Sequence, residues 1–371
     1  MERFRYLLRP LTWVKVVQMK ALIADFPKGF PVGQVVPLGE RLHVLSLPML
    51  FHPGHVNAYI FEDDDGLTLV DTGNARLASR DLWEAVLSSP LARQGVRRIV
   101  LTHGHPDHCG QAEWLCQQTG AELWLTAPEL DAIRRLWRGT PLHWPAVEAF
   151  FLQWGLPADQ FDAVKMLLQG FRDDTSDLPM PIRLIEDGEI LTLGGQPWRV
   201  KCGYGHTPAN ATLWQKEQGL LITGDHLLPR IVPNISIWYD SSLNPLGEYL
   251  QSIRTFLGMG PLVGLPSHGC LFDDLDTRIH QIIQFHRKRL VRALQSCSEE
   301  PRTAYDCIRP VLGKTDGGAL ISLIIGQVFA LLAFLEAEGL LERIDGPVYR
   351  FKSVHGALER LQQLPVLAPP T

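Results

Sequence analysis

The chain has 371 residues, 46 % apolar, 20 % charged and 9 % aromatic, with 35 Lys and Arg against 40 Asp and Glu for a net charge of −5. That apolar share supports a real core and excludes wholesale disorder, and the length suits a large domain with a small one or two of medium size. The slight acidic excess gives no global attraction to nucleic acid or anionic membrane, and six Cys without a CxxC pair read as reduced thiols in a cytoplasmic protein.

Residues 1–40 open with MERFRYLLRPLTWVKVVQMK, where Arg and Lys interrupt the apolar residues and leave no room for a signal-peptide core. They are expected to strap against the body, with a peripheral membrane helix as the alternative. From Arg41 to about Thr126, short apolar runs alternate with turn signals: LHVLSLP, NAYIFEDDDGLTLVDTG, RRIVLTHGH and AELWLT read as strands, with a hairpin turn at Asp63–Gly66. HCGQAEWLCQQT has helical spacing and stops at Gly120. About 128–181, aromatic helical segments broken by Pro and Gly form an insertion, read either as a lid over a site or as core packing.

Strands return in IRLIEDGEILTLGG, PWRVKCGYGH, ATLWQKEQGLLITGD and LVGLPSH, and a long helix over about Asp274–Gln295 closes this part. The last 75 or so residues read as a separate helical unit with a β-wing at LLERIDGPVYRFK. Within it, Gly318 to Leu335 is apolar enough to raise a transmembrane reading, but Gly326 interrupts it and Asp316 and Glu336 flank it. Two short buried helices are expected there, and no transmembrane span.

THGHPDHCG carries the chemistry. Three His and one Asp fall within six residues, His103 to His108, on a loop at a strand end, which is not a core pattern. Imidazole suits zinc and other late first-row ions, and carboxylate oxygen suits harder or bridging roles. Asp71 in LVDTG, His206 in GYGHTP, Asp225 in LLITGD and His268 in LPSHG each stand at a further strand-to-loop junction. Each alone is weak; in this order, flanked by Gly, Thr or Ser, they reinforce one another.

From Arg41 to Gln295 the order of these motifs resembles the metallo-β-lactamase-fold hydrolases, in their glyoxalase II, lactonase and thioesterase-like branch. The resemblance implies an α/β fold, an αββα sandwich with metals at one edge between the sheets, over 41–296, carrying the insertion at about 128–181. It also implies that His103, His105 and His206 hold one metal and that Asp107, His108 and His268 hold a second. Asp225 would bridge the two. Asp71 would orient the loop and a ligand His without touching metal. Two divalent ions, zinc by default with iron or manganese as alternatives, about 3.5–4 Å apart, can share a water and bring its pKa towards neutrality. Asp107 would orient that hydroxide or shuttle a proton, as the catalytic carboxylate.

Within the family, antibiotic β-lactamases lack the bridging Asp that Asp225 supplies, and the di-iron redox relatives carry Glu where this chain has His105. GHTPAN departs from the usual GHTPGH by Ala209 and Asn210, which changes the loop beside the site and leaves His206 in place. Asn210, Asn234, Trp238 and Tyr239 are candidate substrate contacts, the last three alternatively packing under the insertion. His52 and His55 either touch substrate or shape a turn; His226 is expected to face away from the site and Cys109 to pack at a helix start.

Residues 297–371 resemble a small C-terminal winged-helix-like domain. The wing charges nearly cancel, and the basic helix with Arg287, Lys288, Arg289 and Arg292 reads as a solvated face. The expected activity is metal-dependent hydrolysis of a small acyl ester, thioester or lactone. A phosphodiesterase or ribonuclease of the same fold is the alternative, and a nucleic-acid- or protein-binding module through the winged helix is the reading from another class. Nucleic acid is not the expected partner, and a homodimer is compatible with the sequence.

Overall fold

The computed structural model describes residues 19–137, 142–175, 177–178, 181–239, 241–260, 262–313 and 319–368, with backbone alone at 319–323. Most of the expected N-terminal strap, residues 1–18, lies outside these, as do Asp316 and Gly318 beside the apolar segment. The described end of the strap is helical over 19–25, and Met19, Leu22, Ile23 and Phe26 pack onto the body.

Two β-sheets form the centre. The first has seven strands in chain order: β1 (Val35–Pro37), β2 (Leu42–Pro48), β3 (His55–Asp63), β4 (Gly66–Val70), β5 (Val96–Val100), β6 (Glu122–Thr126) and β7 (Ile182–Ile185). β1 to β4 pair antiparallel, and β4 to β7 pair parallel. The second sheet runs β12 (Val263–Pro266), β11 (Leu220–Gly224), β10 (Asn210–Gln215), β9 (Gln196–Gly203), β8 (Ile190–Leu193), with only β11–β12 parallel.

Successive side chains on a strand point to opposite faces, and β3 shows where each face goes. Val56, Ala58 and Ile60 enter the core under the helices, whereas Tyr59 and Phe61 enter the core between the sheets. β11 divides the same way, Leu221 to the helices and Leu220 with Ile222 to the inter-sheet core. Burial on both faces explains why these strands read as unbroken apolar runs. The outer layers on the two sides include Leu77–Leu87 and Ala112–Thr119 on one and Pro245–Arg254 and Leu275–Ser296 on the other, giving the αββα order.

The hairpin between β3 and β4 falls at Asp63–Gly66, where Gly66 takes φ 140° and its missing Cβ leaves room for the Gly95 carbonyl. The helix after the HGHPDH loop divides into Pro106–Cys109 and Ala112–Thr119, and Gly120 ends it at φ 71°.

The described part of residues 128–181 consists of helices joined by turns and loops, with Trp144–Gln153 and Phe161–Asp173 as the longest helical pieces. Trp154 lies between Phe329 of the helix Ala319–Ala337 and Phe351 of β14 (Arg350–Ser353), with ring centroids 4.7 and 5.8 Å away. β14 pairs with β13 (Leu341–Ile344) at the expected wing. The insertion and the C-terminal segment therefore share apolar packing.

The apolar segment is one helix, Ala319–Ala337, and not two short ones. Gly326 does not break it. A Cβ there would stand 3.0 Å from the Ile237 carbonyl and the Ser236 Cβ, and the Gly326 carbonyl accepts from Ile237 N–H at 3.0 Å. The glycine admits a neighbouring segment at a local helix cost of about 1 kcal/mol. No helix among the described residues is long and apolar enough to cross a membrane.

Candidate metal centre

Strand ends build the site. Asp71 follows β4 directly in the left-handed region at φ 63°, and His103 to His108 follow β5 into the helix Pro106–Cys109. His206 lies three residues beyond β9, Asp225 one beyond β11 and His268 two beyond β12. Asn57 and Tyr59 of β3 tie the last of these down, each donating to the Pro266 carbonyl, at 3.0 and 2.8 Å.

Donor atoms of His103, His105, His206 and Asp225 all lie within 4.8 Å of one another, and those of Asp107, His108 and His268 form a second such group. His103 Nε2 is 3.1 Å from His105 Nδ1, and His206 Nε2 is 3.6 Å from Asp225 Oδ2. Asp225 Oδ1 stands 3.6 Å from His108 Nε2 and 3.3 Å from His268 Nε2, so this carboxylate faces both groups. Two donors each about 2.1 Å from one tetrahedral ion are about 3.4 Å apart, which these separations match. His108 Nε2, His206 Nε2 and Asp225 Oδ1 are buried with no hydrogen-bond partner, as atoms reserved for a cation would be. The residues present therefore fit divalent metal.

The other ring nitrogens are held from behind. His206 Nδ1 meets the Asn234 carbonyl at 3.0 Å, and His268 Nδ1 meets the His55 carbonyl at 2.7 Å. Asp71 Oδ2 accepts from His108 Nδ1 and from the Thr102 hydroxyl, both at 2.8 Å. That hydroxyl, having given its proton to Asp71, accepts from His103 Nδ1 at 3.0 Å. One carboxylate thus fixes a His in each group, and such contacts set which nitrogen faces the ion.

Burial, reinforced by neighbouring imidazoles, pulls His103 well below the usual histidine range and His105 down to about 3, so both are neutral. His206 is lowered by burial too. Burial opposes charge on His108, but Asp107, Asp71 and Asp225 outweigh it and push that ring up to about 9. His268 rises well above the usual range in the same way, through Asp225 and Asp107. Both carboxylates stay ionised despite burial, Asp107 near 2 through His108 and His268.

A cavity of about 890 Å³ opens onto His105, Asp107, His206, Asp225 and His268. Leu136, Trp137 and Phe171 from the insertion wall one part, and Ile231, Val232 and Trp238 another. Of the candidate substrate contacts, Asn234 and Trp238 line this cavity, as does His52. His55, Asn210 and Tyr239 do not. His55 Nε2 accepts from Gly269 N–H at 3.0 Å, Asn210 is buried at the start of β10 and donates to the Thr223 carbonyl, and Tyr239 packs against Phe150. His226 faces away, its Nε2 3.1 Å from Ser252 Oγ, and Cys109 is buried with its thiol against the Gly104 carbonyl.

Sequence reasoning missed Glu129. It is buried, and its carboxylate accepts from Gly104 N–H at 2.9 Å and Ala209 N–H at 2.7 Å. It therefore joins the loop of His103 and His105 to the loop of His206. Gly104 permits this approach, because a Cβ there would lie 2.5 Å from Ile133 Cγ1. A single Glu after Pro128 carries no signal beyond an acidic first helical turn.

The family described as the Metallo-beta-lactamase superfamily matches residues 52–268, a span that holds every clustered donor. The chain belongs to the metallo-beta-lactamase superfamily. The family and the His and Asp clusters together make it a metal-dependent hydrolase. It is similar to a Bacillus subtilis protein named probable metallo-hydrolase YqjP, 24 % identical over 81 % of this chain and 93 % of that one. It is also similar to an Aspergillus fumigatus protein named atrochrysone carboxyl ACP thioesterase, at 23 % identity over 74 % of this chain and 69 % of that one. Among solved structures, a beta-lactamase domain protein from Burkholderia ambifaria superposes with a TM-score of 0.76 at 29 % identity, covering 87 % of this chain and 96 % of that one. A metallo-beta-lactamase family protein from Thermus thermophilus gives 0.75 at 27 % identity, over 86 % and 100 %.

Proposed function

We propose that this hydrolase holds two divalent ions, zinc by default, and cleaves an ester or thioester with a bulky apolar acyl group. His103, His105 and His206 would hold one ion and Asp107, His108 and His268 the other, with Asp225 between them. Nitrogen and oxygen donors at these spacings suit zinc, and suit iron or manganese less specifically. Bound there, the ions would supply Lewis acidity and water activated near neutral pH.

The cavity carries the choice of substrate: about 890 Å³, walled by Trp137, Phe171, Trp238 and aliphatic neighbours, it accommodates a large apolar group against the donors. Asp107 borders both the cavity and the donors, and an ionised carboxylate there accepts a hydrogen bond from the attacking water and so orients it. Water adds to the carbonyl carbon, the bond to the alkoxide or thiolate breaks, and the leaving group takes up a proton. The thioesterase name of the similar Aspergillus fumigatus protein supports the thioester form. The proposed division of the chain is 1–40, a catalytic 41–296 and a winged-helix-like 297–371.

A panel of acyl thioesters of rising chain length, a lactone and a phosphodiester, assayed with metal-loaded protein, tests the reading. The expected result is kcat/KM rising by about fourfold per buried methylene, with Trp238→Ala flattening the trend. Faster phosphodiester turnover, with binding that falls steeply in salt, would overturn it.

A further inference from the structure

A second, smaller pocket of about 160 Å³ lies between the helix Leu275–Ser296, the segment 232–235 and the helix Ala319–Ala337. Its polar lining is Arg289, His286, Gln327 and Asn234. Arg289 belongs to the basic run that reads as a solvated face, yet it is half-buried. Its guanidinium stacks over Phe285 at 4.2 Å and donates to Gln327 Oε1 at 2.6 Å. Among the described residues no carboxylate pairs with it; the charged group nearest in effect is another cation, Arg292. His286 is only 5 % exposed, and its Nε2 has no hydrogen-bond partner.

A cation withdrawn from water without a counter-charge is costly, and proteins meet that cost with a partner or a ligand. Here no anionic partner stands among the described residues, while room, a planar guanidinium and an imidazole edge converge. We propose that this pocket binds a small oxyanion, the chemistry shared by sulfate, phosphate monoesters and carboxylates, with Arg289 as its principal donor and His286 as a second. Burial and Arg292 bring Arg289 down to about 10, in keeping with a charge left uncompensated. Arg rather than Lys suits a planar two-bond grip on such an anion.

The pocket also shares a wall with the large cavity beside the metal centre. Val232, Pro233 and Asn234 border both it and the large cavity, and the Asn234 carbonyl holds His206 Nδ1. Gly326 fastens this segment to the third wall through its bond from Ile237. An anion seated against Asn234 therefore bears on the orientation of His206. That coupling rests on the proposed ligand role of His206, whereas anion binding itself does not.

The test is titration of metal-loaded protein with sodium sulfate at constant ionic strength set by chloride, read by calorimetry and thermal unfolding. Saturable binding and a matching rise in Tm are expected in the wild type. Arg289→Met should weaken binding by about tenfold or more and His286→Gln by several-fold. In chloride alone Arg289→Met should be no less stable than the wild type, because an unpaired buried charge has gone. Phosphate and acetate as further probes report whether a tetrahedral or planar oxyanion fits better. No saturable sulfate binding in the wild type would overturn the proposal. So would binding unchanged in Arg289→Met and His286→Gln, which would put the anion at the His and Asp clusters instead. Failure of Arg289→Met to fold, with His286→Gln binding normally, would assign Arg289 to packing. If sulfate binds but leaves metal affinity unchanged, the coupling fails and the site stands.

Discussion

Glu129→Gln is the substitution from which the structure predicts most. Glu129 takes two backbone N–H bonds, from Gly104 at 2.9 Å and Ala209 at 2.7 Å, and these loops carry His103, His105 and His206. Burial pushes its pKa up, and the backbone bonds from Ala209 and Gly104 oppose that push. A hydrogen bond to a charged acceptor contributes about 1.5–3 kcal/mol, and a buried N–H left facing another donor costs about 1–3 kcal/mol. Gln keeps the shape and one acceptor but turns an amide N–H₂ towards the second N–H. The metal-free protein should therefore lose about 2–4 kcal/mol in urea unfolding. Metal affinity, measured by competition with a chromophoric chelator, should fall as well, because the two loops lose their common anchor. Unfolding within about 0.5 kcal/mol of the wild type, with unchanged metal affinity, would refute the anchoring role.

Asp71→Asn should weaken metal binding about 10–100-fold in the same chelator competition. It places an amide donor against His108 Nδ1 or the Thr102 hydroxyl, while Asn tolerates the left-handed backbone at φ 63°. An affinity equal to the wild type would remove Asp71 from the account. His286 is lowered to about 3 by burial and then by Arg289, against about 6.5 in an unfolded chain. The unfolded state thus binds more protons between those values, so stability is lost as pH falls from about 6.5 towards 3, at about 1.4 kcal/mol per pH unit. Unfolding of the metal-free wild type and His286→Gln at pH 7, 6 and 5 should show the steeper decline in the wild type. Equal slopes would mean that His286 is solvated. Metal uptake at pH 7 should release protons, since His108 is held near 9 and His268 also high by Asp107 and Asp225. Calorimetry in buffers of different ionisation enthalpy counts them, and zero release would contradict this charge state.

The metal centre was legible because its donors stand at strand ends, where a periodic apolar run stops and His or Asp follows beside Gly, Thr or Ser. HGHPDH alone supplies four of the clustered residues, and chain order supplies the rest. What the sequence could not show depends on tertiary direction. IRLIEDGEILTLGG reads as strands, but nothing in it says that β7 ends one sheet while β8 ends the other. His55 and Asn210 are polar residues beside motifs, and only the fold turns one to Gly269 and the other to Thr223. Gly326 resembles a helix break because its purpose, contact with Ser236 and Ile237, lies about ninety residues away. Arg289 resembles its solvated neighbours until Phe285 and Gln327 are placed against it.

The proposed two-ion centre is tested most directly by elemental analysis of protein purified without added metal, beside the Asp225→Ala variant. Asp225 faces both donor groups, at 3.6 Å from His206 and 3.3 Å from His268. The account predicts close to two divalent ions per chain in the wild type and a clear fall in the variant. One ion or none, unchanged by Asp225→Ala, would contradict it.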